Sequence, residues 1–106
     1  MATTVKLPIP MEKIAEFCQR WRIVEFALFG SVLSERFRDD SDVDVLVEFA
    51  PNVAYTFAQL DAMQEELEAI FGRSVDLIGK RAVLKSQNYI RRRDILGSAQ
   101  VIYGEG

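Results

Sequence analysis

No histidine occurs anywhere in the 106 residues of this chain. That absence removes serine–histidine–aspartate catalysis, cysteine–histidine catalysis and imidazole-bound zinc together. The one cysteine, Cys18, leaves no partner for an internal disulfide and no thiolate cluster for a metal. It stands beside Phe17 in a helical apolar pattern and reads as a small core residue. No apolar run is long enough to span a bilayer and no secretory leader pattern is present, so a cytoplasmic protein without a membrane partner is the expectation. A basic excess is missing as well. With 13 Lys and Arg against 16 Asp and Glu, the net charge of −3 has the wrong sign for broad nucleic-acid binding, and no direct nucleic-acid contact is expected.

What is present is an ordinary globular composition, 49% hydrophobic and 27% charged, in a length that suits one domain over residues 1–106. Residues 1–8 read as a flexible tail. Charge is unevenly spread: Lys80, Arg81, Lys85, Arg91, Arg92 and Arg93 are opposed locally only by Asp94. Such a strip meets either an anionic ligand or solvent.

Met11, Ile14, Phe17, Cys18 and Trp21 recur at helical spacing and predict a helix over residues 11–20. Residues 24–29 form a β-branched and aromatic run that predicts a strand ending at Gly30. A short helix over 31–36, a polar turn over 38–41 and a second strand over 43–49 follow. Thr56 and Gln59 have capping-box spacing, and Phe57, Leu60, Met63, Leu67, Ile70 and Phe71 mark one buried stripe closed by Gly72. A strand over 74–78, a helix over 83–96 and a strand over 100–103 complete the order. Arg81, Lys85 and Arg92 would share a face of that last helix. The alternation predicts an α/β layer fold with helices on one or both faces of a sheet. Trp21 and Phe26 read as core, and Tyr55, Tyr89 and Tyr103 as core or interface packing.

One block resists a purely structural reading. Asp42 and Asp44 flank Val43 at the head of an apolar strand, so both carboxylates point to one face with Cα atoms roughly 6.6 Å apart. Side by side they repel unless a cation lies between them. Asp76 sits in the buried-looking strand Val75-Asp76-Leu77-Ile78, and pairing of the two strands would bring it to the same face. Three oxygen donors without histidine suit Mg²⁺ or Mn²⁺, and two such ions would hold a triphosphate for in-line displacement, with Asp76 able to accept the attacking proton. Gly30-Ser31, at the end of a strand, is placed to turn the chain and offer donors to a phosphate. Taken singly, Asp42 fits a turn, Asp44 a strand-edge charge, and Asp76 an arginine pair.

Gly30-Ser31, ten residues, Asp42-Val43-Asp44 and a third aspartate on a later strand together resemble the polymerase-β-type nucleotidyltransferase superfamily. Within it, Leu28-Phe29-Gly30-Ser31-Val32-Leu33, Arg36-Phe37-Arg38, the run from Asp40 to Phe49, and Gly72-Arg73-Ser74-Val75-Asp76-Leu77-Ile78 resemble the minimal nucleotidyltransferase (MNT) proteins. The resemblance implies a small mixed β-sheet palm with flanking helices (α+β). It implies Mg²⁺-dependent transfer of AMP from ATP to a tyrosine of a HEPN toxin, for which such proteins act as antitoxins. Asp42 and Asp44 would hold metal, Asp76 would complete the catalytic site, and Gly30 with Ser31 would bind the nucleotide. Many relatives have an Arg-Gly pair four and five residues after the glycine; here Ser34 and Glu35 stand there, with Arg36 next. A non-catalytic antitoxin that blocks its partner by contact is the competing reading, and a homo- or hetero-oligomer suits either.

Overall fold

The computed structural model describes residues 9–33, 38 and 41–104, apart from the side chain of Ser31. The expected tail and most of the segment between the Gly-Ser turn and Asp42 lie outside these residues, including Ser34, Glu35 and Arg36. In chain order the elements are α1 (Met11–Arg20), β1 (Ile23–Phe29), a 3-10 turn (Gly30–Leu33), β2 (Val43–Phe49), α2 (Phe57–Phe71), β3 (Val75–Gly79), α3 (Lys80–Leu84), α4 (Tyr89–Ser98) and β4 (Gln100–Gly104).

The four strands lie in the order β3-β2-β1-β4. β1 runs antiparallel to both neighbours, while β3 is parallel to β2. A parallel neighbour needs a crossover, and α2 supplies it. The sheet is therefore mixed, with helices on both faces.

Strand alternation divides the apolar residues between two layers. Phe26 and Leu28 of β1 join Val43, Val45 and Val47 of β2 against Ile14, Phe17 and Cys18 of α1 and Met63 and Leu67 of α2. Phe17 meets Phe26 edge to face, with ring centroids 6.4 Å apart. On the opposite face a smaller cluster joins Ala27, Phe29 and Leu46 to Val83 of α3 and Ile95 of α4. Asp44 belongs by alternation to this second face.

The ends of α2 are set by local chemistry. Thr56 and Gln59 form a reciprocal capping box, and Gly72 ends the helix at φ 72°. Trp21 and Tyr55 pack at 5.5 Å between ring centroids, and Tyr55 also meets Phe49 at 5.1 Å. Trp21 Nε1 donates to Glu66 at 2.6 Å, which ties the end of α1 to α2.

Three expectations are corrected here. Residues 83–96 do not form one helix: Ser86 Oγ accepts from the Asn88 N–H, and Asn88 Oδ1 accepts from the Arg91 N–H, which starts a separate α4. Arg81 and Lys85 thus do not share a helix face with Arg92. Phe57 is 88% exposed rather than part of the buried stripe, because it is the first residue of α2, a turn ahead of the half-buried Leu60. Tyr89 is exposed, which removes core packing and leaves interface packing of its two alternatives.

Candidate active site

The site starts at the C-terminal end of β1. Phe29 is paired with Asp44 across the β1–β2 ladder, and the next residue, Gly30, turns the chain at φ +77°. That conformation favours glycine. Space demands it too: a Cβ on Gly30 would lie 2.2 Å from Asp44 Oδ2 and 3.2 Å from its Cγ. The Gly-Ser turn and the strand aspartate are in contact.

β3 completes the approach. In the parallel ladder Asp44 is registered against Asp76, with Val43 against Val75 before it and Val45 against Leu77 after it. Neighbouring strands lie about 4.8 Å apart, so the two carboxylates project side by side from one face. Asp42 immediately precedes β2 and is exposed. The chain leading to it is fixed by backbone contacts: Arg73 Nη1 donates to the carbonyls of Arg38 at 2.9 Å and Ser41 at 3.3 Å. Ser41 N–H donates to the Arg38 carbonyl at 3.0 Å, and Arg38 N–H to Ser41 Oγ at 2.9 Å, so the expected polar turn is present at both ends. Val43 N–H donates to Ser74 at 2.9 Å, joining the starts of β2 and β3.

The electrostatics follow from this placement. Burial raises the Asp44 carboxyl above its usual range, and the charges of Asp76 and then Asp42 raise it further, while Arg91 acts in the opposite direction. Asp76 and Asp42 therefore both bear on Asp44. Asp76 itself is exposed, which corrects its buried reading: β3 is the edge of the sheet and has only β2 beside it.

The donor set fits a hard divalent cation, because it consists of carboxylate oxygens that repel one another. Among the described residues, however, no group of three such side chains is drawn in to metal-binding distance. The convergence is one of strands and charge, not a finished chelate. Mg²⁺ is commonly held by one or two carboxylates with substrate phosphates supplying further oxygens, and Asp44 with Asp76 suits that pattern.

A nucleotidyltransferase-domain family matches residues 11–102. The chain belongs to this nucleotidyltransferase family. The match takes in Gly30, Asp42, Asp44 and Asp76. A Methanocaldococcus jannaschii protein named "Putative protein adenylyltransferase" is 36% identical over 64 residues, 60% of this chain and 64% of that one. The protein adenylyltransferase MntA of Thermococcus cleftensis is 34% identical over 68 residues, 64% of this chain and 67% of that one. The nucleotidyltransferase chain thus spans about two thirds of the length of these curated relatives. Its fold is shared with a crystal structure of a toxin–antitoxin with AMP-PNP, at a TM-score of 0.69 and 19% identity over 92% of this chain and 75% of the other. The expected small mixed sheet with flanking helices is the fold observed.

Two residues near the site escaped the motif reading. Arg73 was legible only as part of the Gly72-to-Ile78 run, and nothing local revealed that it anchors the turn before Asp42. Arg91 was visible as one of several cations. Its approach to Asp44 depends on the break before α4, whose signal was the N-cap Asn88.

Proposed function

We propose that this nucleotidyltransferase domain transfers AMP from ATP to a hydroxyl, that of a tyrosine, on a HEPN-type toxin and so acts as its antitoxin in the cytoplasm. The observation that carries this reading is the registration of Asp44 against Asp76 with Gly30 packed on Asp44. It brings the Gly30 turn beside paired carboxylates. The names of the archaeal relatives and the toxin–antitoxin fold match support protein adenylylation in particular.

Asp42, Asp44 and Asp76 would hold Mg²⁺ or Mn²⁺, and the cation would supply charge neutralisation for the triphosphate. The backbone at Gly30 and Ser31 would cradle the phosphates. The acceptor oxygen forms a new bond to the α-phosphorus as the bond to the bridging oxygen of the β-phosphate breaks. Pyrophosphate leaves with that electron pair, and Asp76, exposed and beside Asp44, would take the hydroxyl proton. Positioning and charge supply most of the rate.

Incubation with α-labelled ATP, Mg²⁺ and a HEPN-type toxin protein tests the proposal. Label should appear on that protein and disappear with Asp44→Ala or Asp42→Ala. Neutralisation of the toxin by both variants without any labelling would instead make this a contact inhibitor.

A further inference from the structure

The face carrying Asp44 and Asp76 continues into a cavity of about 190 Å³ between β3, α3 and α4. Its floor is apolar, formed by Ile78, Val83 and Ile95, and its rim carries Ser86, Arg91 and Arg92. Ile78 lies two residues beyond Asp76 in the same strand, so both side chains leave the same side of the sheet, roughly 6.6 Å apart at Cα. The cavity therefore flanks the acidic pair on its β3 side. Gly30 flanks it on the β1 side, since the strand order is β3-β2-β1. With the triphosphate at Gly30, the cavity falls to the opposite reactant.

The surface beyond the rim has a definite chemistry. Leu84, Tyr89 and Ile90 are 50%, 60% and 64% exposed. The guanidinium carbons of Arg92 and Arg93 lie 5.7 and 5.8 Å from the Tyr89 ring centroid. Among the described residues, ion pairs join Arg20 to Glu66 and Lys80 to Glu25 and Glu48, and none engages Arg81, Lys85, Arg91, Arg92 or Arg93. Five cations outside any ion pair among the described residues are thus carried on or beside the two helices that hold three exposed apolar side chains, with Asp94 as the local acid and Arg91 acting on Asp44. The complement is an acidic polypeptide with apolar anchors. Nucleic acid fits less well, because the aliphatic Leu84 and Ile90 offer no stacking surface and the chain as a whole carries −3.

We propose that the α3–α4 face is the acceptor dock: an acidic polypeptide segment lies across Leu84, Tyr89 and Ile90 and seats its tyrosine in the cavity beside Asp76. This inference rests on the adenylylation reading and assigns its acceptor side.

Fluorescence anisotropy tests the dock with labelled peptides in which a central tyrosine is flanked by glutamates or by lysines, and with a glutamate-flanked peptide whose centre is alanine. The glutamate–tyrosine peptide should bind about ten-fold more tightly than its lysine counterpart, and the double variant Lys85→Glu with Arg93→Glu should erase that preference. Ala82→Phe, at an exposed position lining the cavity, should remove the preference for tyrosine over alanine while leaving the charge preference intact. Calorimetry with Mg–AMP-PNP should give the same affinity for all variants. Equal binding of the acidic and basic peptides would overturn the proposal. So would loss of Mg–AMP-PNP binding in Ala82→Phe, which would give the cavity to the nucleotide, or displacement of the acidic peptide by a single-stranded RNA oligomer at lower concentration. Wild-type protein that ignores Mg–AMP-PNP yet keeps the charge-dependent peptide binding would end the enzymatic reading and uphold the dock.

Discussion

Gly30 and Asp44 are packed so closely that the smallest side chain cannot be added to one without moving the other. A Cβ at position 30 would sit 2.2 Å from Oδ2 of Asp44. The obstructed atom is the end of a side chain, so the fold can yield by rotating the carboxylate. Gly30→Ala should therefore cost about 1–2 kcal/mol from its left-handed backbone, leaving a folded protein. Nucleotide transfer should fall much further, by roughly a hundred-fold. Thermal melts and a labelled-ATP assay on the same preparation would check the pair of outcomes; transfer that declines no more than stability does would separate Gly30 from the chemistry.

Asp44→Asn should stabilise the protein in the absence of cation and nucleotide. The folded-state pKa of Asp44 is raised, by burial first and then by Asp76 and Asp42. A raised carboxyl favours its protonated form, so its penalty is absent below the unfolded value and grows as pH rises through the folded one. Above the folded value the penalty is complete, and the amide removes it. Tm should rise by roughly 2–4 °C at pH 7 and stay level at pH 3, while transfer is lost. Parallel melts at the two pH values would show it.

Lys80 should contribute stability that disappears in strong alkali. Burial alone would lower its pKa, but the charges and hydrogen bonds of Glu25 and then Glu48 outweigh it, and the net shift is upward. Its ammonium lies 3.4 Å from Glu25 and 3.6 Å from Glu48. The contribution is complete below the ordinary lysine value and lost as pH rises through the folded one. Partial exposure keeps it to about 0.5 kcal/mol. Lys80→Met should lower urea-unfolding stability by that amount at pH 8, and the difference from wild type should shrink as pH rises past the ordinary lysine value of about 10.4.

Cys18 should be inert to thiol reagents in the folded state. Burial pushes its thiol up to about 12, and the side chain is fully enclosed with Ile14 and Phe17. Labelling by a disulfide reagent at pH 8 should proceed only at the rate of opening, and urea should release it. Rapid labelling in native buffer would contradict the packing of α1 on the sheet.

Much of this architecture was legible because local signals agreed. Thr56, Gln59 and Gly72 announced both ends of α2, and the Val43–Val45–Val47 alternation assigned Asp44 to the opposite face before any pairing was known. Asp76 was harder. Its apolar neighbours Val75 and Leu77 suggested burial, but edge position is a property of strand order, which no window of sequence contains. Phe57 misled for a related reason, since a helical stripe says which direction a residue faces and not whether anything lies there. The division of the last helix was written in Ser86 and Asn88, whose side chains compete with the helix for backbone donors.

The single helical bridge between β2 and β3 has a consequence for assembly. Asp44 and Asp76 meet only after the intervening chain has closed, so their proximity is a late, non-local contact and is entropically costly to reach early. A fragment ending before β3 would retain the turn and the first two carboxylates while lacking their companion. During synthesis on the ribosome, Asp44 would then stand without Asp76 beside it until the C-terminal half of the chain emerged.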